Sequence, residues 1–327
     1  MNHYDVYGLG NALVDLEYEV DDAFLARHDI AKGHMTLVEA HQQAETIAQL
    51  AGHTGRRASG GSAANTLISV SGFGGRTYYS CRIADDETGR FFVRDLLAAG
   101  VDTNADQHHG DGESGQCVVM VTPDAERSMH TYLGISGALS RANVQQEALS
   151  AARYLYMEGY LCSSDSARDA VIHARELART AGVKIAATLS DPAMVEHFRP
   201  QLAEMLGERV DLLFCNEDEA RMWTGADDLS AVAEHLKQLA DAFAITCGSR
   251  GCLVWDGATL TQVPSPTVKA VDTLGAGDLF AGAYLFARCR DQDHISAAHF
   301  ANRSAARLVT HFGPRLPARV LQELLAD

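Results

Sequence analysis

The residues 272–278, Asp-Thr-Leu-Gly-Ala-Gly-Asp, have the spacing with the clearest chemical meaning in this chain. They follow a strand-like run at 268–271 and open an apolar helix that we place near Gly277. Glycine allows a ligand close to the backbone because no Cβ intervenes, and free N–H groups at a helix start attract an anion. We therefore predict an anion site made by the backbone of Gly275, Ala276 and Gly277.

Asp278 lies in the first turn of this predicted helix, beside the anion site. An acid next to an anion pocket is electrostatically unfavourable, but it has a purpose if it takes a proton from a hydroxyl that attacks a phosphoryl group. We interpret Asp278 as this general base, and an ordinary aspartate pKa of about 4 predicts that it is ionised at pH 7. The alternative is an acid that only stabilises the helix N-terminus.

Two further motifs are predicted to lie at helix starts. The glycine pair at 60–61 precedes a helix, and Asn65, one turn in, offers both a donor and an acceptor. Asn216 and Glu219 follow a buried strand at 211–215, and open α/β sheets bind ligands at the carboxyl ends of their strands. Glu219 there is predicted to hold Mg²⁺ through water. The alternatives are that the glycine pair at 60–61 forms a simple turn and that Glu219 only stabilises a helix N-terminus.

Residues 110–115 match the dinucleotide-binding pattern G-x-G-x-x-G by letter. That pattern functions at a strand-to-helix turn, whereas the alternating residues 116–122 predict a strand after it. We interpret 110–115 as a turn and keep a dinucleotide-dependent dehydrogenase as an alternative. The chain has no G-x-x-x-x-G-K-[ST] sequence, so any nucleotide is bound without that lysine loop.

Short β-rich runs alternate with longer helical patterns along most of the chain. Strands are predicted at 4–10, 77–83, 154–157, 184–188, 211–215 and 243–247. Helices are predicted at 41–51, 62–71, 87–99, 166–181, 229–240, 275–289 and 295–311. This alternation is typical of an α/β protein whose parallel sheet is covered by helices on both faces. Four runs break the alternation and predict a small inserted sheet with a β-hairpin, at 14–20, 35–39, 116–122 and 128–133.

The composition excludes some classes of partner. The 327 residues carry a formal charge of −16, which argues against a broad basic face for nucleic acid or an anionic membrane. The seven cysteines are odd in number and form no C-x-x-C pair, as in a reduced cytoplasmic protein. Residues 1–15 lack the pattern of a signal peptide, and no apolar run approaches the roughly 20 residues that span a membrane. We predict a cytoplasmic protein.

Four motifs in this order resemble the ribokinase-like, or PfkB, family of sugar and nucleoside kinases. They are G-N-A-L-V-D at 10–15, G-G-S-A-A-N at 60–65, N-E-D-E at 216–219 and D-T-L-G-A-G-D at 272–278, supported by 246–251 and 302–314. The resemblance covers essentially the whole chain and implies one kinase domain over 1–327. It implies a Rossmann-like three-layer α/β/α sandwich with a small β-sheet lid. The lid is expected from inserted segments at about 13–39 and 107–136.

The resemblance also implies roles for individual residues. Asp278 becomes the base that activates a substrate hydroxyl toward the γ-phosphate of ATP, with the glycine loop as its anion hole. Sugar hydroxyls are expected to bind Asp15, with the rest of that subsite formed by Asn11, Gly60, Gly61 and Asn65. Asn216 and Glu219 are expected to organise Mg²⁺ and phosphate. The ATP nucleoside is expected beside Thr246, Gly248, Gly251 and Asn302.

The resemblance implies roles for three more residues, Arg127, Asp272 and Thr273. Arg127 is expected to reach the phosphates when the lid closes. Asp272 and Thr273 match positions that in some members border a monovalent-cation site, which leaves activation by K⁺ open.

The substrate is less well defined by the sequence. The N-terminal motif and the lid segment 127–134 look more like adenosine kinases than ribokinases, and adenosine kinases place apolar lid side chains against the purine. Met129 and Thr131 on the lid, with Tyr160 after the next strand, are therefore expected in the substrate site, although hairpin and core packing explains them equally well. We favour 5′-phosphorylation of a purine nucleoside, adenosine first.

Other functions and assembly states stay open. A sugar kinase acting on ribose, fructose or a related furanose is the second candidate, and a non-catalytic nucleoside- or sugar-binding regulator is the third. The expected partners are the small-molecule substrate and ATP. The chain is expected to be a monomer or a homodimer.

Overall fold

The computed structural model describes residues 3–105, 110–124 and 126–326. Within these ranges fourteen strands are joined by twelve α-helices. The strands are β1 (Tyr4–Leu9), β2 (Leu13–Glu19), β3 (Met35–Leu37), β4 (Gly55–Gly60), β5 (Thr77–Ser80), β6 (Val101–Thr103), β7 (Ser114–Val121), β8 (Arg127–Gly134), β9 (Ala152–Glu158), β10 (Lys184–Thr188), β11 (Val210–Asn216), β12 (Ala240–Thr246), β13 (Cys252–Trp255) and β14 (Leu260–Val263). The helices are α1 (Asp22–Arg27), α2 (Ala40–Gln49), α3 (Ser62–Gly72), α4 (Glu87–Ala98), α5 (Gln146–Ser150), α6 (Asp165–Ala181), α7 (Pro192–Leu206), α8 (Glu217–Thr224), α9 (Leu229–Leu239), α10 (Ala276–Cys289), α11 (His294–Leu308) and α12 (Ala318–Leu324).

Nine strands form the large sheet, in the order β14-β13-β12-β11-β10-β9-β1-β5-β6. The strands from β12 to β6 are parallel, and β13 and β14 extend the sheet with antiparallel pairs. On β11, Leu212 and Phe214 enter the core on one face, and Leu213 and Cys215 enter the core on the other. Successive side chains of a strand point to opposite faces, so an almost continuous apolar run marks a strand buried on both sides.

Helices cover both faces of this sheet and complete the predicted three-layer sandwich. One core contains side chains from α3, α4, α10, α11 and α12, and the opposite core contains side chains from α5, α6, α7, α8 and α9. The fold class expected from the sequence is therefore confirmed. All seven cysteines are buried and free. No helix in the described ranges has the length and apolar character needed to cross a membrane.

Five strands form the small sheet, in the order β3-β8-β7-β2-β4. Successive side chains of β7 point to opposite faces of the small sheet. Val118 and Met120 pack on its outer face, and Cys117 and Val119 lie on the inner face, toward the large sheet. The outward residues join a core with Phe24 of α1 and with other apolar side chains around α1 and α2. The small sheet is thus covered on its outer face and open toward a cavity on its inner face.

Some segments differ from the expectations. The strand β4, Gly55–Gly60, lies outside the segments 13–39 and 107–136 from which the small sheet was expected. The run at 268–271 is not a strand, since Val271 N–H makes a single bond to the Val309 carbonyl instead of joining a ladder. The helix α7 was not expected. Residues 107–109 and 125, which the lid segment included, lie outside the described residues.

A close helix crossing places the two glycine motifs side by side. Gly282 on α10 faces α3, and a Cβ at this position would lie 2.6 Å from the Thr66 carbonyl oxygen and 2.8 Å from Ser69 Cβ. Only glycine permits this approach of the two backbones. Because both helices begin on the same side of the crossing, Ser62 and Asn65 at the start of α3 meet Asp278 at the start of α10.

Gly282→Ala is expected to lower the free energy of unfolding by about 1–3 kcal/mol, because backbone atoms must move apart to admit the methyl group. This loss outweighs the roughly 1 kcal/mol that alanine gains over glycine within a helix. Urea denaturation followed by circular dichroism measures the change. Gly277→Ala, in the same helix, is the matched control, since a Cβ there meets no atom within 4 Å. Equal stability of the two variants would contradict the crossing as described.

Candidate active site

A cavity of about 490 Å³ lies between the carboxyl ends of the large sheet's strands and the inner face of the small sheet. The strand ends contribute Glu158, Asn216 and Thr246, the last residues of β9, β11 and β12, and Ser190, which follows β10. Most of the residues expected in a site line this cavity: Asn11, Asp15, Gly61, Asn65, Arg127, Met129, Thr131, Tyr160, Asn216, Glu219, Thr246, Thr273, Gly275, Ala276, Gly277 and Asp278. Five others do not line it: Gly60, Gly248, Gly251, Asp272 and Asn302.

Asp278 is held by neutral donors from α3. Ser62 Oγ donates to Oδ1 at 2.6 Å, and Asn65 Nδ2 donates to Oδ2 at 3.2 Å. Burial raises the pKa of Asp278 to about 6, against the opposing effects of these hydrogen bonds and of the Arg315 charge. The ordinary pKa expected from the sequence is therefore wrong. A carboxyl with this pKa is still roughly 90% ionised at pH 7 and matches a proton acceptor at neutral pH.

The two glycines of the 272–278 motif have different functions. Gly275 caps α10 with φ of 71°, and a Cβ there would lie 2.4 Å from the Pro314 carbonyl oxygen, so Gly275 is needed by the fold itself. A Cβ on Gly277 would meet no atom within 4 Å, so this glycine keeps space open at the helix start. In the first turn of α10 the Ala276 N–H donates to the Thr273 carbonyl at 3.2 Å, whereas the N–H groups of Gly277 and Asp278 have no intrahelical acceptor and can bind an anion there.

Asp15 lies on β2 with only 7% of its surface exposed. Burial raises its pKa to about 7, and the neighbouring carboxylates of Glu17 and Asp278 act in the same direction. No hydrogen bond from the described residues reaches the Asp15 carboxylate, so its oxygens are available to a ligand. Gly60 on the paired strand β4 makes room for it, since a Cβ at Gly60 would lie 2.2 Å from the carboxylate.

Glu158 is a site residue that sequence reasoning missed. Its Oε1 accepts the Asn11 N–H at 2.6 Å, and its Oε2 accepts the Ala63 N–H at 2.8 Å. Burial raises its pKa to about 7. Glu158 thereby joins the loop after β1 to the start of α3, where Gly61, with φ of 93°, passes close to the Asn11 carbonyl. The available signal was an acid directly after a predicted buried strand.

Arg127 and Asp272 were expected near phosphate and near a monovalent cation, but the structure pairs them with each other. Arg127 Nε donates to Asp272 Oδ1 at 2.7 Å, and its Nη2 donates to Oδ2. The N–H groups of Leu274 and Gly313 donate to the same two oxygens, at 2.9 and 2.6 Å. Asp272 therefore already accepts four N–H donors, including a guanidinium, and its donor set does not fit a bound K⁺. Thr273 is exposed at the cavity.

Asn216 and Glu219 form a capping box at the start of α8. Glu219 N–H donates to Asn216 Oδ1 at 2.8 Å, and Asn216 donates through N and Nδ2 to the two Glu219 oxygens at 3.1 and 2.6 Å. Burial raises the pKa of Glu219 to about 7. Each carboxylate oxygen keeps a lone pair in the cavity lining, which fits a metal-bound water as a donor. The described residues contain no cluster of three or more acidic, His or Cys side chains that could bind a metal directly.

Of the remaining residues of the expected ATP pocket, Thr246, Gly248 and Gly251 lie at the turn between β12 and β13, and Asn302 lies on α11. Gly251 has φ of 90°, and a Cβ there would lie 2.1 Å from the Val263 carbonyl oxygen. Asn302 is buried and donates from Nδ2 to the carbonyls of Val263 and Pro264 at 3.0 and 3.3 Å. Asn302 thus holds the loop after β14 in place. Thr246 lines the cavity, and Gly248 follows it in the turn.

The inner face of the small sheet gives the cavity an apolar wall. Six apolar side chains of the small sheet line the cavity: Leu13, Met35, Leu37, Val119, Met129 and Leu133. Thr131 lines the same face, and its hydroxyl donates to Cys117 Sγ at 3.3 Å. Tyr160 closes the wall from the large sheet, with its hydroxyl 3.5 Å from the Ser190 carbonyl.

Comparison with known proteins defines the family. A sequence model described as pfkB family carbohydrate kinase matches residues 31–320. The chain belongs to this family, whose members are phosphotransferases that use ATP to phosphorylate hydroxyl groups. The dehydrogenase alternative is therefore wrong, in agreement with a strand, β7, that begins at Ser114 directly before the end of the 110–115 pattern.

Named relatives within the family act on more than one substrate class. The chain is 28% identical over 283 residues to fructokinase-1 of Oryza sativa subsp. japonica, covering 81% of this chain and 87% of that protein. A solved structure of adenosine kinase from Sinorhizobium meliloti is 33% identical, with a TM-score of 0.91 over 99% of this chain and 98% of that one. A probable sugar kinase from Rhizobium etli CFN 42 is 29% identical, with a TM-score of 0.92 over 100% and 98%.

Gly277→Leu is expected to fold normally but to lose phosphoryl transfer by about 10²-fold or more, because its side chain occupies the space in front of the helix start. Gly275→Ala is the contrasting variant, expected to lose thermal stability because of the Pro314 carbonyl. Thermal melts and ATP consumption are measured for both. Normal turnover in Gly277→Leu would show that phosphate binds elsewhere.

Proposed function

We propose that this protein transfers the γ-phosphoryl group of ATP to the 5′-hydroxyl of a purine nucleoside, with adenosine as the favoured substrate. The observation that carries the proposal is the apolar wall that the inner face of the small sheet gives the cavity. A free carboxylate, Asp15, lies on the same inner face, in register with Cys117, and Asp278 lines the cavity from the start of α10. A nucleoside has this same division, with hydroxyls on its ribose and a large, flat apolar face on its base.

The wall distinguishes a nucleoside from a simple sugar. A furanose carries hydroxyls around its ring, and it would leave Leu13, Val119, Met129 and Leu133 against water or against its own polar groups. Burying that apolar surface under a base is favourable by roughly 25 cal/mol per Å². Tyr160, just after β9, adds an aromatic ring to the cavity lining, where it can pack on a flat base.

The second candidate is a sugar kinase. The free oxygens of Asp15 favour it as much as they favour a nucleoside, because either substrate has vicinal hydroxyls, and the relatives include fructokinases and a probable sugar kinase. The third candidate, a non-catalytic binding protein, is disfavoured because Asp278 lies beside the open space at Gly277 with its donors in place.

In the proposed reaction Asp278 takes the proton of the substrate hydroxyl, whose oxygen then attacks the γ-phosphorus as ADP leaves. The first-turn N–H groups of α10 bind the transferring phosphoryl oxygens, whose charge they stabilise. Asn216 and Glu219 would hold Mg²⁺ through water, and the bound ion would supply further positive charge to the phosphates. The small sheet acts as a lid that excludes water from ATP. Its outer face is covered by α1 and α2, which favours a monomer over a homodimer paired through that face.

Asp278→Asn is expected to lower kcat by about 10²–10⁴-fold while leaving ATP affinity within about twofold, because the amide cannot accept the proton. In the wild type, kcat is expected to fall as pH drops through about 6, since protonation of Asp278 removes the base. The variant should lack this acid limb. Steady-state rates from pH 5 to 8, with ATP binding measured by calorimetry, test both statements. A variant with wild-type turnover would overturn the assignment of the base.

Adenosine is expected to give a higher kcat/KM than ribose or fructose by at least about 10²-fold, because only the nucleoside covers the apolar wall. A coupled ADP-release assay with Mg²⁺ over a panel of nucleosides and sugars measures the ranking. Met129→Asp is the matched test of the wall, since a charge there should weaken adenosine much more than ribose. A higher kcat/KM for a free sugar would favour the sugar-kinase candidate.

A further inference from the structure

Arg315, between α11 and α12, is a cation beside the site that no motif indicated. Its side chain is 17% exposed, and each of its three nitrogens has a partner. Nε donates to Asn65 Oδ1 at 2.9 Å, Nη1 to Asp95 Oδ2 at 2.9 Å, and Nη2 to Ser59 Oγ at 2.8 Å. Asp95 also accepts the Ser59 hydroxyl and the Ser59 N–H, so the guanidinium is held from β4, α3 and α4 together.

The bond from Arg315 decides which way the Asn65 amide points. A guanidinium only donates hydrogen bonds, so the Asn65 atom that faces Arg315 must be the carbonyl oxygen. The NH₂ group then faces Asp278, where it donates to Oδ2. The reverse orientation would set NH₂ against a cation and a carbonyl oxygen against a carboxylate. Without Arg315, nothing described on that side of Asn65 selects the productive orientation.

We propose that Arg315 is a positioning residue for phosphoryl transfer: it fixes the Asn65 amide so that it donates to Asp278, and it places a rigid positive charge beside Asp278 and Asp15. This inference rests on the proposed role of Asp278 as the base. Arg315 itself is committed to Asn65, Asp95 and Ser59 and does not line the cavity, so its effect passes through its neighbours.

The positive charge of Arg315 partly offsets the negative charge of the carboxylates around Asp278. The titratable or charged groups that interact with Asp278 are Arg315, Asp15, Glu158, Tyr156 and Tyr160. Arg315 is the cation of this group, and it lowers the pKa of both Asp278 and Asp15, whereas burial raises both. Removing Arg315 is therefore expected to raise the pKa of Asp278 above 6. A larger fraction of the base would then be protonated at pH 7.

The competing explanation is that Arg315 only clamps β4, α3 and α4 together. Its bonds to Ser59 and Asp95 show that it does contribute to packing, so a loss of stability alone would not distinguish the two explanations. The position of the acid limb of kcat does distinguish them, because a clamp has no reason to shift the pKa of Asp278.

The experiment compares Arg315→Met with Arg315→Lys, which keeps a charge but not the planar fork. For Arg315→Met we expect the acid limb of kcat to move up by about 0.5–1 pH unit. At pH 7 we expect kcat to fall by about tenfold, with KM for ATP within about twofold. Compared with Arg315→Met, Arg315→Lys should return the acid limb of kcat to nearly its wild-type pH, but it should recover a smaller part of kcat itself. Arg319→Met, at an exposed position on α12, is the control and should match the wild type.

Two further measurements separate this proposal from the proposed function. Carbon-13 NMR titration of aspartate carboxyls, with Asp278 assigned from Asp278→Asn, reports the pKa without any substrate. An upward shift in Arg315→Met supports the electrostatic role even if adenosine is not the substrate. A double-mutant cycle with Asn65→Ala should show that Arg315→Met lowers kcat by a smaller factor in the Asn65→Ala background than in the wild type. An unshifted Asp278 titration with additive kcat losses would overturn the proposal.

Discussion

The close crossing of α10 over α3 is the constraint on which the site depends. Gly282 lets the two helices approach until their first turns share one small volume, and Asp278 is then half-buried and hydrogen-bonded by the neutral side chains of Ser62 and Asn65. Desolvation without a directly bonded cation is what raises the pKa of a carboxyl. A surface aspartate at the same helix start would stay near pKa 4 and be a weaker proton acceptor. The reactivity of the candidate base therefore follows from helix packing as much as from the residue.

Buried carboxylates dominate the electrostatics of the cavity. Burial raises the pKa of Asp15, Glu158 and Glu219 to about 7 and that of Asp278 to about 6. Between about pH 4 and 7 the folded chain thus binds more protons at these groups than the unfolded chain does, and their contribution to stability falls as pH rises through that window. The fold tolerates this loss of stability at the carboxyl ends of the large sheet's strands. An acidic chain can still bind a nucleotide there, because helix N–H groups and a bound metal supply the positive potential locally.

Much of the fold was predictable because its signals are local. Strand–helix alternation marked the large sheet, and the outward and inward residues of β7 followed from a period of two. The strand β4 was missed because Gly-Arg-Arg-Ala-Ser-Gly has little strand propensity, and it is extended only because it pairs with β2. The opposite error occurred at 268–271, where valines suggested a strand but no neighbouring strand completes a ladder. In both cases tertiary pairing overrode local preference.

The sequence by itself determined the family, the glycine-led helix starts and the identity of Asp278, because each of these depends on residues a few positions apart. Only the tertiary structure decided the burial, the hydrogen-bond partners and the pKa of these residues. Glu158 connects positions 95 and 147 residues away, Arg127 is bound by Asp272 rather than free, and Arg315 reaches Asn65 across 250 residues. No local pattern encodes such partners, since burial and charge at a site are sums over atoms that meet only when the chain has folded.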